Sequence, residues 1–258
     1  MASKIRKSIK KKPEKKPNKI KKKLVIIVPY RNREPHLKKF IPYMKKYLEK
    51  YKNKIDYKIL VIHQFNKNMF NKGALFNIGF NLTKNHYDYF CFHDVDLLPE
   101  DADYSYVKNP THLSAFVSEF NYKLPYNDIF GGAVMFNKKD FIKVNGYSNK
   151  FLGWGAEDDE LYHRIKRKNL KFTRRLGRYE SLPYLETQAK TNPEKRKNNP
   201  HFRKNIKLYR AMRDGRANVT ADGLNKIGVK IKYQIINKKC LDADIPAYIY
   251  DIDFNNYK

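Results

Sequence analysis

YDYFCFHDVDLLPE, residues 87–100, joins an apolar and aromatic run to two carboxylates set one residue apart. The run YDYFCFH (87–93) has the composition of a buried strand. Asp94 and Asp96 follow at its carboxyl end. In an extended backbone, residues two apart point to one face, so both carboxylates can meet one hard divalent cation. Such a cation can neutralise a departing diphosphate. An isolated Asp-x-Asp is also an ordinary turn motif. Its meaning depends on what the rest of the chain brings to the same place.

LVIIVPY (24–30) reads as a second buried strand, ended by Pro29. Residues 35–50 place Leu37, Phe40, Ile41, Met44, Tyr47 and Leu48 at helical spacing, with Pro35 in the first turn and Pro42 as a kink. YKILVIHQ (57–64) reads as a strand and NKGALFNIGFNL (71–82) as a helix. Strand, helix, strand, helix, strand implies a parallel sheet with crossover helices. Ligands of such sheets bind outside the carboxyl ends of the strands. The strand at 24–30 ends in Arg31-Asn32-Arg33 and the strand at 87–93 in Asp94-Val95-Asp96. The topology therefore brings two arginines and two carboxylates to one rim.

Downstream, residues 101–128 read as an irregular connection, FGGAVMF (130–136) as a strand, and 138–144 as a helix. NGYSNKFLGWGAEDDELYHRIKRK (145–168) is a Gly-rich loop running into a helix that starts near Glu157. Residues 190–220 are polar and basic and read as a mobile segment. VKIKYQII (229–236) and AYIYDIDF (247–254) read as closing strands. There is no internal repeat.

The 258 residues suffice for one large domain with a sizeable core. The net charge is +29, and residues 1–23, with eleven Lys, one Arg and one Glu, hold +11 of it. That stretch lacks the apolar content to fold and reads as a disordered Lys-rich tail before a domain at 24–258. The remaining excess suits polyanions, anionic lipid or phosphorylated small molecules. An AT-rich coding bias toward Lys, Asn, Ile and Tyr accounts for it equally well. Cys91 and Cys240 allow one bridge at most, and Cys91, inside an apolar run, reads as a buried free thiol. No apolar run approaches the ~20 residues of a membrane span. The N-terminus has positive charge and no apolar core of a secretory signal. The expected compartment is cytoplasmic or soluble. None of the seven histidines forms a His-x-His or His-x-x-x-His pair, so no zinc site is expected.

Arg31 and Arg33 suit bidentate bonds to phosphate or a clamp on a base edge. Phe70 and Lys72 offer a stacking face and a cation; the ordinary alternative is a plain helix N-terminus. Glu157-Asp158-Asp159-Glu160 would complement a helix macrodipole. Four acids in succession beside Trp154, the chain's one tryptophan, exceed that need. A Trp face next to carboxylates is suited to holding a sugar, and one such carboxylate can serve as a general base. Gly131-Gly132 permits close backbone approach to a ligand.

Six stretches, VPYRNREPHL, FNKGALFNIGF, FHDVDLLPE, FGGAVMF, NGYSNKFLGWGAEDDELYHRI and ADGLN, occur in order across residues 24–233. Together they resemble the β-1,4-galactosyltransferase family (glycosyltransferase family 7), inverting enzymes of the GT-A fold. The wording of HDVDLLP and of the GWG-acid segment is most similar to the branch that galactosylates xylose. The resemblance implies an α/β architecture, a Rossmann-like mixed sheet flanked by helices, with 24–258 as the catalytic domain. It implies a metal-dependent transfer of galactose from a UDP-sugar to a sugar hydroxyl of a glycan or glycoconjugate, forming a β-1,4-type linkage. By position, Arg31, Arg33 and Phe70 would hold the nucleotide, with Lys72, Val95, Ile129 and Gly132 also on the donor side. Asp94 would contact the donor sugar or ribose, and Asp96 would bind Mn2+ or Mg2+. Trp154 would stack on and close over the substrates. Glu157, Asp158 and Asp159 would hold the acceptor, with Asp158 the base.

Four departures accompany the resemblance. Lys72 stands where the family usually has Arg, so a fork becomes a point charge. The family's histidine metal ligand has no counterpart in LPYLETQAK (182–190), where Glu186 stands in as an oxygen ligand and His201 is the alternative. Ile129 occupies a position where Tyr favours galactose, and its size opens the donor choice to N-acetylgalactosamine. The family's N-terminal Golgi anchor is not read in this chain, which would fit a soluble viral or microbial enzyme acting in a host cytoplasm. Two rivals remain: a non-catalytic sugar-binding relative, and a basic nucleic-acid-binding protein with the positive charge as its footprint. The second leaves the six ordered stretches unexplained, so no specific nucleic-acid partner is expected. The oligomeric state is not legible.

Overall fold

From Leu24 to Tyr30 every residue of β1 (Lys22–Tyr30) is buried. Leu24, Ile26 and Val28 share an apolar cluster with Phe40, Met44 and Leu48 of α1 (Glu34–Leu48). β1 pairs in parallel with β2 (Ile55–Gln64). On the opposite face, Val25 and Ile27 meet Phe76 and Phe80 of α2 (Lys72–Thr83). A strand covered on both faces needs an uninterrupted apolar run, which is why this segment shows no alternation. The structure is a computed structural model and describes residues 21–183 and 198–255. Most of the Lys-rich stretch 1–23 lies outside the described residues, and its last two residues already belong to β1.

β3 (Tyr89–His93), β4 (Leu97–Pro99), β5 (Thr111–His112), β6 (Phe116–Val117), β7 (Ala133–Asn137), α3 (Lys138–Lys143) and α4 (Glu157–Arg167) follow. After them come β8 (Thr173–Arg174), β9 (Arg178–Ser181), α5 (Pro200–Arg213), β10 (Tyr233–Asp242) and β11 (Ala247–Phe254). An eight-stranded sheet runs β10-β11-β2-β1-β3-β7-β5-β8, and a smaller sheet runs β4-β9-β6. The ladders β1/β2, β1/β3 and β11/β2 are parallel; β3/β7 and β10/β11 are antiparallel. The parallel arrangement expected of the strands at 24–30, 57–64 and 87–93 is found, within the mixed sheet that the resemblance implied. No crossover helix separates β3 from β7, so the chain re-enters the sheet in the opposite sense.

Three expectations need correction. Residues 200–213, inside the stretch read as mobile, form α5. Asn199 caps it by accepting from the His201 and Phe202 amides, and Pro200 occupies its first turn. Ile206, Tyr209 and Met212 pack it on Phe151 and Ala156. The strand expected at 229–236 runs instead over 233–242, where pairing with β11 recruits the polar residues Asn237-Lys238-Lys239. The irregular connection at 101–128 contains the short strands β5 and β6. Cys91 is buried and free, with burial raising its thiol pKa. No helix among the described residues is long and apolar enough to cross a membrane.

A buried polar network ties α4 to the loop before it. Glu160, fully buried, accepts from Arg164 and Arg167, each at 2.5 Å. Arg164 also donates to the carbonyls of Asn145 and Asp222 at 3.1 and 3.0 Å. Asp222, itself buried, accepts from the Asn149 amide at 2.9 Å and from the Ser148 hydroxyl. Asn71 and Asn77 of the α2 region donate to the carbonyls of Asn149 and Tyr147, both at 2.8 Å. Removing one member strands a buried charge. Glu160→Ala is expected to destabilise the fold by about 3–5 kcal/mol in urea unfolding; a loss under about 1 kcal/mol would show that the arginines find other partners.

Candidate active site

The carboxyl ends of β1 and β3, the start of α2 and the start of α4 open onto one cavity of about 870 Å3. Its wall includes Arg31, Arg33, Phe70, Lys72, Asp94, Val95, Asp96, Ile129, Gly132, Trp154, Glu157, Asp158 and Asp159. Every candidate residue named from the sequence thus meets here except Glu186, which lies outside the described residues.

On one side, Gln64 at the end of β2 donates to the carbonyls of Asn68 and Met69 and accepts from the Asn71 amide. That brace shapes the loop carrying Phe70. Arg31 donates to the Asn68 carbonyl at 2.5 Å and lies 5.4 Å from the Phe70 ring centroid, a cation–π distance. Asn71 caps α2 by accepting from the Ala74 amide, which sets Lys72 at the first helical position.

Asp94 and Asp96 are not on one extended strand as expected. β3 ends at His93, and residues 94–96 turn, with the Asp94 amide donating to the Gly132 carbonyl at 2.8 Å. The Asp94 carboxylate lies 3.1 Å from the Lys72 ammonium. Asp96 is 7% exposed, and its carbonyl accepts from the Leu182 amide. Val95 between them is buried in the apolar cluster with Leu97 and Leu98. Beneath the turn, His93 bonds the Asp94 carbonyl and the Tyr104 hydroxyl, both at 2.8 Å. Burial drops its pKa to about 4, so the ring is neutral and serves as a rigid spacer.

The four acids of α4 diverge around the first helical turn. Glu160 points into the arginine network. Glu157 accepts from the Gly155 amide at 3.1 Å. Asp159 accepts from the Tyr126 hydroxyl at 2.8 Å. Asp158 lies 3.2 Å from Lys72, whose ammonium is also 3.5 Å from Glu157. Burial raises the Asp158 pKa, Lys72 opposes that, and Glu157 and Asp94 add to it, for a value of about 8. Burial works against the Lys72 ammonium, but Asp158, Asp94 and Glu157 outweigh it and hold its pKa well above the usual lysine value. Gly131 is required here, because a Cβ would collide with the Asp158 carboxylate.

Trp154 stacks on Phe202 of α5, with ring centroids 5.3 Å apart and planes inclined by 27°. Asn205 of α5 donates to the Leu152 and Trp154 carbonyls at 3.0 and 3.1 Å. Gly155 has φ +104, and a Cβ there would strike the Phe202 ring. His201 also lines the cavity. Phe202, Tyr126 and the second layer of Gln64, Asn149 and Asp222 escaped the sequence reading. The helical spacing of Phe202, Ile206, Tyr209 and Met212 was a usable signal for α5; nothing local marked Tyr126.

Asp96 offers the hard oxygen ligand that Mn2+ or Mg2+ takes. Asp94 also lies 3.1 Å from the Lys72 ammonium. Among the described residues, no three His, Cys, Asp or Glu side chains converge as a complete cage. Asp96 therefore suits an ion that takes its remaining ligands from elsewhere, such as a substrate diphosphate.

Among the described residues, Lys72 is the cation whose ion pairs join Asp94, Glu157 and Asp158. An acid whose folded pKa exceeds its unfolded value makes stability fall as pH rises between the two. For Asp158 that window runs from 3.8 to about 8, and removing Lys72 extends it upward. Lys72→Met is expected to lose more stability at pH 9 than at pH 6 in urea unfolding, by about 1.4 kcal/mol per added pKa unit. Equal losses at both pH values would show that Lys72 does not restrain these carboxylates.

Two family profiles match in tandem: "N-terminal region of glycosyl transferase group 7" over residues 1–109, and "N-terminal domain of galactosyltransferase" over residues 111–186. Beta-1,4-galactosyltransferase 1 of Mus musculus is 32% identical over 236 residues, covering 87% of this chain and 55% of the relative. A beta-N-acetyl-D-glucosaminide beta-1,4-N-acetylglucosaminyl-transferase of Lymnaea stagnalis is 40% identical over 179 residues, covering 66% of this chain and 36% of the relative. The chain thus spans about half the length, or less, of these curated relatives. Among solved structures, a mutant of Drosophila beta-1,4-galactosyltransferase 7 in complex with manganese, UDP-Gal and xylobiose superposes with a TM-score of 0.68. It is 27% identical, and the match covers 91% of this chain and 94% of that one. The mixed sheet, its helical cover and this likeness are those of a GT-A glycosyltransferase. The chain belongs to the β-1,4-galactosyltransferase family.

Proposed function

We propose that the chain is a metal-dependent inverting glycosyltransferase that moves galactose from UDP-galactose to a sugar hydroxyl, forming a β-1,4-type linkage. The observation that carries this reading is the single cavity in which Asp158, Lys72, Asp94, Asp96 and Trp154 converge. Arg31 and Phe70 offer a cation and a ring to the nucleotide, with Arg33 beside them. Asp96, together with Glu186 outside the described residues, would hold Mn2+ or Mg2+. When bound, that ion would neutralise the diphosphate and stabilise UDP as leaving group. Asp94, fixed by Lys72, would orient the donor sugar.

On the acceptor side, Trp154 would stack on the sugar, and Glu157 and Asp159 would position it. Asp158 takes the proton of the acceptor hydroxyl. The freed oxygen attacks the anomeric carbon, and the bond from that carbon to the diphosphate oxygen breaks with its electron pair leaving on UDP. Attack from the face opposite UDP inverts the configuration. A carboxylate whose pKa is raised is a stronger base than an ordinary one, and Lys72 favours its ionised form against the burial that disfavours it.

Ile129 in the cavity wall supports a second donor, N-acetylgalactosamine. The Lymnaea relative is named for N-acetylglucosaminyl transfer, which supports an N-acetylated donor here as well. UDP release with Mn2+ from UDP-galactose, UDP-N-acetylgalactosamine and UDP-N-acetylglucosamine, with and without a β-xyloside, tests the reading and ranks the donors. Asp96→Ala is expected to abolish metal-dependent release while the unfolding curve stays unchanged; full activity would sink the assignment.

Asp158→Asn is expected to keep UDP-sugar binding and lower transfer by about 10²–10⁴-fold. A base must be ionised to act, so wild-type kcat/KM should fall as pH drops through the Asp158 pKa, near 8 in the ligand-free protein. Transfer that persists undiminished at pH 5 would point to a different base.

A further inference from the structure

His112, the last residue of β5, is fully buried beside the Phe130 ring, with ring centroids 5.5 Å apart. Burial and, after it, the Arg174 charge push its pKa down to about 3, so the ring is neutral and carries one proton. Its Nε2 lies 3.1 Å from the Gly131 carbonyl oxygen. A carbonyl only accepts, so the proton is on Nε2. Nδ1 is left without a partner among the described residues. A phenylalanine would fill this space without stranding a buried nitrogen, which is costly. What a phenylalanine lacks is the Nε2 proton.

That proton meets an oxygen that already has a donor. The Ser114 hydroxyl also donates to the Gly131 carbonyl, at 2.8 Å, and accepts from the Ala133 amide at 2.8 Å. Both lone-pair positions of the carbonyl are thus engaged, which fixes the direction of the peptide and not merely its satisfaction. Strand pairing does not call for this arrangement. β5 already pairs with β7 through Thr111 with Met135 and His112 with Val134, and the Leu113 amide donates to the Ala133 carbonyl at 2.9 Å. The peptide so held sits at the Lys72 cluster. Gly131 backs the Asp158 carboxylate so closely that a Cβ would overlap it. The next carbonyl, that of Gly132, accepts from the Asp94 amide at 2.8 Å. Two of the three acids around Lys72 therefore bear on one dipeptide.

We propose that His112 is a positioning residue for transfer: with Ser114 it clamps the Gly131 peptide in the orientation that backs the Asp158 carboxylate and braces the turn carrying Asp94. This role rests on the glycosyl-transfer reading of the main cavity, with Asp158 as base. His112 acts through the backbone and touches neither donor nor acceptor.

Gly131-Gly132 is the one Gly-Gly pair in the chain. Labelling with glycine that carries 13C at the carbonyl and 15N at the amide therefore leaves a single carbonyl–amide cross-peak, which reports this peptide without any turnover. Loss of a hydrogen bond to a carbonyl moves its 13C signal upfield. His112→Phe keeps a ring and loses the donor; His112→Gln restores an N–H at similar reach. The Phe variant is expected to move the signal upfield and to lower kcat for UDP release from UDP-galactose, with Mn2+ and a β-xyloside, by about 10–10²-fold. KM for UDP-galactose should change less than kcat. The Gln variant should return both signal and kcat toward wild type, and urea unfolding checks that each variant is folded. Where the Phe variant does not fold, Ser114→Ala removes the other donor and is expected to act in the same direction. A signal that stays in place overturns the clamp. A signal that moves while kcat stays within about twofold of wild type overturns the positioning role and leaves His112 to packing. Wild-type protein that releases no UDP from the donor overturns the transfer reading itself; a shift that Gln reverses would then leave a purely structural clamp. Wild-type release with an unmoved signal removes this inference alone.

Discussion

One ammonium among three carboxylates governs the site. Lys72 stands at the first position of α2, where the helix dipole disfavours a cation. Its placement makes sense only because Asp94 from the end of β3 and Glu157 and Asp158 from the start of α4 converge on it. Buried charges of one sign repel strongly in a poorly polarisable surrounding. Without the ammonium, the cluster would protonate or part. A lysine suits this position because its compact charge can reach three acids at once, whereas a guanidinium is best matched to one carboxylate in a fork.

The scaffold behind that cluster is polar and equally committed. Glu160, Arg164 and Asp222 fix α4 to the loop at 145–149, and Asn71 and Asn77 fix the same loop to α2. The two helices that present Lys72 and Asp158 are thereby held by one network, so the separation of their charged ends does not depend on the long side chains alone. Within α4, one helical turn sends four adjacent acids in four directions. Three face the cavity and the fourth anchors the helix. A run that looks like redundant charge in one dimension is a division of labour in three.

The opposite wall is built differently. Trp154 is held by ring stacking on Phe202 and by Asn205 bonding the carbonyls of its loop. Fewer buried charges and more aromatic contact characterise this side, which suits a surface that meets sugar faces.

The sequence by itself determined the central strands, the helices that cover them and the rim where Arg31, Arg33, Asp94, Trp154 and Asp158 meet. Burial on both faces leaves a local signature in an unbroken apolar run, and a helix leaves its own in residue spacing, so both were legible at 24–30, 57–64 and 71–82. Six ordered stretches made the family legible as well. What only the tertiary structure decided was who pairs with whom. Asp94 and Asp96 read as twins in an extended strand, yet the chain turns after His93 and Asp94 pairs with Lys72. Glu160 read as the last of four adjacent acids with no role of its own, yet it anchors the helix through Arg164 and Arg167. Residues 200–213 read as a mobile basic stretch, yet Phe151 and Ala156 supply the apolar surface that makes them a helix. The pairing of Asp94 with Lys72 and the packing of 200–213 on Phe151 rest on contacts between residues far apart in the chain. Periodicity and composition report on a residue's own neighbours, and carry no record of a partner that only folding brings within reach.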